Sequence, residues 1–211
     1  MKRIIKSDEP RFFIDWKTEN SPRTWEDLQN PEKNRLRKIL VEDQGFICCY
    51  CNREIVNDHT TSIEHLLPQD RDKFPEKRFE FTNLLAACDG GTRDQPRRMT
   101  HCDARKGNKS LPITPLDDDC ESRFRFIANG EIIADGNDSN ALQTIEILGL
   151  NIPKLRSNRR KAIEPYLDLL DSEIETADEI YREIEFLNQK VDGKYAPFCT
   201  AIINILENLL S

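Results

Sequence analysis

The chain has 211 residues, of which 33% are charged and 37% are hydrophobic. This composition is typical of a soluble globular protein and excludes a disordered one. No apolar run approaches the roughly 20 residues that a helix needs to cross a bilayer. The N-terminus MKRIIKSDEP also lacks the apolar segment of a signal peptide. We therefore expect a cytosolic protein that does not associate with membranes.

The formal net charge of −7 hides a strong asymmetry along the chain. Residues 93–109 contain six bases and two acids, whereas residues 164–185 contain nine acids and one base. The local sign of charge, more than the total, sets the field that steers a charged ligand. We therefore expect the basic segment to face nucleic acid, and the acidic segment to repel it and bind a protein partner.

The first 30 residues are predicted to form an arm that packs over the main body of the protein. Their aromatic cluster, Phe12, Phe13 and Trp16, is expected to anchor this arm in the core. A helix is predicted from Pro31 to Asp43, because Pro suits the first helical position and a Gly follows the end of the pattern. The predicted buried stripe of this helix is Leu36, Ile39 and Leu40.

The middle of the chain is predicted to have the order strand, strand, helix. A short hairpin with a metal-binding turn is expected around residues 46–55, and a strand over residues 62–67. An apolar turn is predicted over residues 79–87. Residues 102–108 fit one or two helical turns.

The C-terminal half is predicted to contain one hairpin followed by helices. Residues 123–126 alternate in polarity and precede Asn129–Gly130, a strong hairpin turn. The first helix is expected after Gly136 and closes near Gly149. Further helices are expected from near Pro153 with a kink at Pro165, after a capping box of Ser172 and Glu175, and from near Pro197. Three of these helices have a predicted stripe of buried apolar residues. The stripe is Leu142, Ile145 and Leu148 in the first helix, Ile174, Ala177, Tyr181 and Ile184 in the third, and Phe198, Ile202, Ile205, Leu206 and Leu209 in the last.

Four cysteines are candidate ligands of one zinc ion. Cys48 and Cys51 have the C-x-x-C spacing, which lets two thiolates reach one ion from a tight turn. Cys88 and Cys102 are the candidate second pair. In a reducing cytosol, such a cluster is more often metal-binding than disulfide-bonded. The rival ligands are Cys49, His59 and His101.

A second set of polar residues lies between these cysteines. His65 is a candidate general base, because a neutral imidazole can accept a proton near pH 7. Glu64 and Asp103 offer carboxylate oxygens, which suit Mg²⁺ or Mn²⁺. Phosphodiester hydrolysis requires such a base together with a divalent cation. These residues indicate a metal-dependent nuclease, although Glu64 and His65 are expected to point to opposite faces of a strand.

Four more residues have supporting roles in this interpretation. Asn83 has no metal-ligating partner in the sequence, so we expect it to hydrogen-bond the loop that bears His65. Arg105 and Lys106 lie on the predicted short helix and, together with the following Lys109, are predicted to contact DNA phosphates.

The order of these motifs resembles the HNH endonuclease superfamily. The matching motifs are C-x-x-C from Cys48, EHLLP from Glu64, N-L from Asn83, the single Cys88, and C-D-x-x-K-G from Cys102. Within this superfamily, the N-terminal sequence, the long insert before HCDARKGN and the helical tail resemble the PtuB family. PtuB proteins are the HNH nucleases of Septu anti-phage defence, and they also occur in some retron systems.

The resemblance implies an α+β fold with a zinc-bound ββα-metal core and a mostly α-helical C-terminal region. It implies that His65 is the general base, that Glu64 and Asp103 hold the catalytic Mg²⁺ or Mn²⁺, and that Asn83 occupies the middle Asn position. The four cysteines fall at the structural zinc positions. Glu64 stands where Asp is more usual, and Asp103 where Asn or His is commoner, which leaves the geometry of the catalytic metal open.

The resemblance also implies DNA as the substrate and an ABC-type ATPase like PtuA as the partner. A retron reverse transcriptase with its DNA is a further expected partner. We predict three regions: an N-terminal arm at 1–30, an HNH nuclease core at 31–110, and a partner-binding hairpin and helical region at 111–211. Cleavage is expected to leave a 5′-phosphate and a 3′-hydroxyl.

Two alternatives remain open at the level of sequence. The first is a non-catalytic zinc-stabilised module that binds nucleic acid or acts as a scaffold. A structural zinc site does not need Glu64, His65 and Asp103, which argues against this alternative. The second is a stand-alone restriction or homing-type HNH nuclease, which a neighbouring ATPase gene would exclude.

Overall fold

The computed structural model describes residues 1–69, 74–91, 95–171 and 176–210. Within these ranges the protein is a mixture of α-helices and two small antiparallel sheets of two strands each. This is the predicted α+β composition. None of the helices in the described ranges is both long enough and apolar enough to cross a bilayer.

The N-terminal segment contains helix α1, Arg11–Asn20, and leads into α2, Glu32–Asp43. Phe13 is fully buried, and its ring stacks on Trp16 with 5.8 Å between the ring centroids. The predicted aromatic anchor is therefore confirmed. Helix α2 buries Leu36, Leu40 and Val41, close to the predicted stripe.

The central sheet pairs strand β1, Thr61–His65, with strand β2, Leu84–Cys88. The prediction of an apolar turn over residues 79–87 was wrong, because β2 begins within that range after a 3₁₀ turn at Phe81–Asn83. All five residues of β2 are buried, so the strand lacks the alternating pattern that identifies a half-exposed strand. The predicted hairpin at residues 46–55 is reduced to a single bridge, Ile47 with Glu54.

One buried side chain joins the helix, the cysteine turn and the sheet. The amide of Gln44, just after α2, donates to the carbonyls of Ile47 and Ala86 and accepts from the backbone N–H of Ala86. Helix α3, Cys102–Lys106, packs against β2 and confirms the predicted short helix. These contacts place the cysteine turn, the end of β2 and the start of α3 together.

The C-terminal half consists of a hairpin and four helices among the described residues. Strands β3, Phe124–Phe126, and β4, Ile132–Ala134, confirm the predicted hairpin. Four predicted stripe positions are wrong, since Leu142, Tyr181 and Leu209 are about half exposed and Ala177 is also exposed. The helices are α4, Ser139–Leu148; α5, Pro153–Asp171; α6, Ala177–Leu187; and α7, Cys199–Leu209.

Two further predictions concern α5 and α6. Helix α5 continues through Pro165, the residue at which a kink is predicted. The predicted capping box of Ser172 and Glu175, and the stripe position Ile174, lie outside the described residues. The observed capping box of α6 is formed one turn later by Thr176 and Glu179.

Candidate active site

Four buried thiols meet where the cysteine turn, β2 and α3 come together. The Sγ atoms of Cys48, Cys51, Cys88 and Cys102 all lie within 4.8 Å of one another. The distance is 3.9 Å between Cys48 and Cys102, and 3.8 Å between Cys51 and Cys88. A tetrahedral zinc ion with Zn–S bonds of about 2.3 Å places its sulfurs roughly 3.8 Å apart. This cluster can therefore hold a metal such as zinc.

The rival ligands take other positions. Cys49 is buried but lies outside the cluster, and its backbone N–H donates to Ala86 in β2. His101 is buried, with Nδ1 at 3.2 Å from Sγ of Cys102, so it is a neighbour of the thiols. His59 is exposed. The four-cysteine set is the tightest group of possible ligands among the described residues.

Two carboxyl groups lie close together beside this cluster. Glu64, on β1, is buried, and Asp103 on α3 lines the same cavity and lies near enough to raise the pKa of the Glu64 carboxyl group. Oε1 of Glu64 lies 2.7 Å from Nζ of Lys106 and accepts a 2.9 Å hydrogen bond from the hydroxyl of Tyr50. Burial raises the pKa of Glu64 to about 8, opposed by Lys106 and assisted by Asp103. The pair therefore needs a proton or a cation.

His65 is held in one orientation by its surroundings. Its Nε2 lies 3.0 Å from the carbonyl oxygen of Arg78, and its ring meets Trp25 edge-on, with 4.5 Å between centroids. A carbonyl can only accept, so Nε2 carries the proton and Nδ1 keeps a free lone pair. Burial lowers the pKa of His65 to about 4. The imidazole is therefore neutral near pH 7 and able to accept a proton.

The side chain of Asn83 hydrogen-bonds two segments that follow His65 in the chain. Its Oδ1 accepts from the backbone N–H of Leu67 at 2.8 Å, and its Nδ2 donates to the carbonyls of Leu67 and Lys77 at 3.0 Å each. Lys77 directly precedes Arg78, whose carbonyl binds the imidazole. The side chain of Asn83 thus links the end of β1 to the segment that orients His65.

Replacing Asn83 by alanine should therefore loosen His65 without touching it. The buried backbone groups left without partners should cost about 1–3 kcal/mol of unfolding free energy. We expect the rate of any reaction that depends on His65 to fall about 10–100-fold. Urea unfolding and the cleavage assay described below measure the two effects, and the exposed Asn57→Ala is the matched control. Wild-type activity in the Asn83 variant would contradict this role.

The carboxylates and the imidazole line one polar cleft of about 340 Å³. Glu64 and His65, which are predicted to point to opposite faces of β1, both line this cleft at the end of the strand. Lys33 and Arg37 of α2 also line it, which adds positive charge to the cleft wall. The other lining residues include Trp25, Ser62, Gln69 and Asn108.

The three bases predicted to contact DNA lie in different environments. Lys109 is exposed. Arg105 donates to the carbonyls of Arg97, at 2.9 Å, and Glu146, at 3.2 Å. Lys106 is buried at the wall of the cleft, where it pairs with Glu64. Of the three predicted DNA contacts, Lys109 is thus accessible, whereas Lys106 is buried inside the protein.

Several residues around the site carry no signal of their own in the sequence. Tyr50 is one of the two residues between the cysteines of the C-x-x-C motif, and its type is not specified by that motif. Trp25 and Arg78 are far from His65 in sequence. Lys106 belongs to the matched motif, but nothing in its spacing indicates that it would be buried against Glu64. The pairing of Tyr50 and Lys106 with one carboxylate oxygen emerges only from the tertiary structure.

No protein-family model matches the chain. Two curated proteins are similar to it. The "Retron Ec83 putative HNH endonuclease" of Escherichia coli is 28% identical over 208 residues, which covers 77% of this chain and 79% of that protein. The "Retron Vc95 putative HNH endonuclease" of Vibrio cholerae serotype O1 biovar El Tor is 30% identical over 144 residues, covering 65% of this chain and 68% of that protein. The chain thus belongs to the HNH endonuclease superfamily.

Proposed function

We propose that the chain is a metal-dependent endonuclease that hydrolyses DNA phosphodiester bonds as the effector of a retron-linked anti-phage system. The observation that carries this proposal is the meeting of Glu64, Asp103 and His65 in one polar cleft beside the four thiols. A purely structural zinc module needs the thiols but has no use for two neighbouring carboxylates, one of them buried, and an oriented neutral imidazole.

In this proposal β1, β2 and α3 form a ββα-metal core. The four cysteines hold a structural Zn²⁺ that fixes the end of β2 to the start of α3. Asp103 directly follows the ligand Cys102, and Glu64 lies across from Leu85 on the neighbouring strand. The zinc centre therefore sets the distance between the two carboxylates without taking part in the reaction.

Glu64 and Asp103 would hold the catalytic divalent cation. Two carboxylates that lie close together, one of them buried, are hard oxygen donors of the kind that Mg²⁺ and Mn²⁺ prefer. When bound, such a cation offsets negative charge on the phosphate and on the leaving oxygen. The arrangement fits this cation because the carboxylate pair already requires positive charge.

His65 would act as the general base. The lone pair on Nδ1 takes a proton from water as the oxygen attacks phosphorus, and the bond to the 3′-oxygen of the preceding nucleotide breaks. The products would be a 5′-phosphate and a 3′-hydroxyl. The hydrogen bond from Nε2 to Arg78 keeps the ring in the required tautomer throughout.

Helix α6 is the proposed docking surface for a partner ATPase of the ABC type. Its exposed side carries the acids Asp178 and Glu185 together with the half-exposed rings of Tyr181 and Phe186. Aromatic residues are enriched in protein interfaces, whereas the acids disfavour DNA. The names of the two relatives support a retron context, in which a reverse transcriptase and its DNA are further proposed partners.

Cleavage of supercoiled plasmid tests this proposal directly. We expect nicking or linearisation with Mg²⁺ or Mn²⁺, no cleavage in EDTA, and at least ~100-fold slower cleavage by Asp103→Ala, since metal catalysis supplies several kcal/mol. The exposed Asp8→Ala is the matched control. Each protein is assayed alone and with the products of its neighbouring genes. A wild-type protein that binds DNA but never cuts it would favour the non-catalytic zinc module.

A further inference from the structure

The side chain of Lys106 is buried in the wall of the cleft. Only 1% of it is exposed, and its ammonium group lies 2.7 Å from Oε1 of Glu64. The same ammonium donates to the backbone carbonyl oxygen of His65 at 2.7 Å. A lysine is seldom buried so completely without a charged partner. Lys106 therefore serves as an internal counter-ion for one specific carboxylate.

That carboxylate oxygen has no lone pair left to accept another hydrogen bond. Oε1 of Glu64 accepts from both Lys106 and the hydroxyl of Tyr50. These two donors use the two lone pairs of the oxygen. A divalent cation must therefore displace a donor from Oε1 or bind Oε2, and in either position its two positive charges lie next to the ammonium, where like charges repel strongly in a poorly solvated site. The cation and the ammonium therefore compete for the same carboxylate.

Tyr50 and Lys106 differ in what the arrival of a cation does to them. The Tyr50 hydroxyl is neutral, so it can remain on Glu64 and keep the carboxylate in place. Lys106 is the last residue of α3, and together with Glu64 it lines the cleft of about 340 Å³. Its long side chain therefore has room to turn into the cleft.

We propose that Lys106 and the divalent cation exchange on Glu64, so that binding of the cation releases the Lys106 ammonium into the cleft. The released group would face the bound phosphate, which gives the cleft its phosphate-binding charge only when the metal is present. This inference rests on the proposed function, because it takes Glu64 as a ligand of the catalytic cation.

Amine labelling of the full-length, zinc-loaded protein tests the exchange without DNA and without any activity assay. Lysines are acetylated briefly, with and without Mg²⁺, and each site is quantified by peptide mass spectrometry. We expect Lys106 to label at least about tenfold faster with Mg²⁺, because labelling follows the fraction of time that a group is open to solvent. Lys109, exposed and three residues later, should label equally fast in both conditions.

A Glu64→Gln variant and calorimetric titration of Mg²⁺ complete the experiment. In this variant Lys106 has lost its charged partner, so its labelling should be fast and insensitive to Mg²⁺. If Mg²⁺ binds the wild-type protein through Glu64 while Lys106 stays protected, the exchange is wrong but the proposed metal site stands. If Mg²⁺ does not bind, or binds equally well to Glu64→Gln, the metal site and the exchange both fail.

Discussion

Replacing His65 by alanine is expected to slow DNA cleavage by about 10²–10⁴-fold, the usual contribution of a general base. The imidazole is already neutral, because burial lowers its pKa to about 4, and its Nε2–H is fixed on Arg78. The variant therefore loses a base that is in the right protonation state and the right orientation. The rate of plasmid cleavage under single-turnover conditions measures this loss.

Two controls separate lost chemistry from lost structure. His59→Ala removes an exposed histidine from the segment before β1 and should leave the rate unchanged. The zinc content of the His65 variant should stay close to that of the wild type, since the four thiols form a separate cluster. Its thermal midpoint should fall only by the amount that truncation of one buried side chain costs. Undiminished cleavage by a folded His65→Ala protein would remove the general-base assignment and with it the proposed mechanism.

The cysteine cluster could be predicted because its signal is local and chemical. C-x-x-C spacing identifies Cys48 and Cys51, and Cys88 and Cys102 are the candidate second pair, with Cys49, His59 and His101 as rivals. Strand β2 was missed for the opposite reason. Its five residues are all buried, so the run Leu84–Cys88 has no polar alternation and looks the same as an apolar turn. Whether such a run forms a strand depends on its pairing with β1, which is a tertiary contact.

The environment of the carboxylates could not be predicted from spacing. The sequence brings Glu64 and Asp103 together through the resemblance to HNH proteins, but it says nothing of burial. The structure shows that Lys106 and Tyr50 meet on one oxygen of Glu64 from elements 42 and 14 residues away, respectively. Lys106 is predicted to contact DNA phosphates, which requires an accessible side chain. Its burial depends on the pairing with the Glu64 carboxylate, which exists only in the folded protein.

Replacing Cys88 by serine is expected to cause the largest loss of stability. A structural zinc ion contributes on the order of 10 kcal/mol in small zinc domains, comparable with the whole unfolding free energy of a typical protein. A serine hydroxyl cannot replace a thiolate as a zinc ligand. We expect the variant to lose most of its zinc and its thermal midpoint to fall by at least about 10 °C. Metal analysis and thermal unfolding measure both.

Cys120→Ser is the matched control, because Cys120 is also a buried free thiol but lies outside the cluster. It should keep its zinc and lose only the modest stability that a buried thiol-to-hydroxyl change costs. Unchanged zinc content in Cys88→Ser would show that the four thiols are not the ligands.

The loss should extend from the zinc centre to the catalytic cleft. Cys88 ends the strand that pairs with β1, opposite Thr61, and Cys102 directly precedes Asp103. Zinc removal therefore frees β1, with Glu64 and His65, from the start of α3. Brief chelation with a zinc-selective reagent, in excess Mg²⁺, should abolish cleavage although neither the catalytic cation nor any catalytic residue has been removed. Restoring Zn²⁺ should restore activity in the wild-type protein but not in Cys88→Ser.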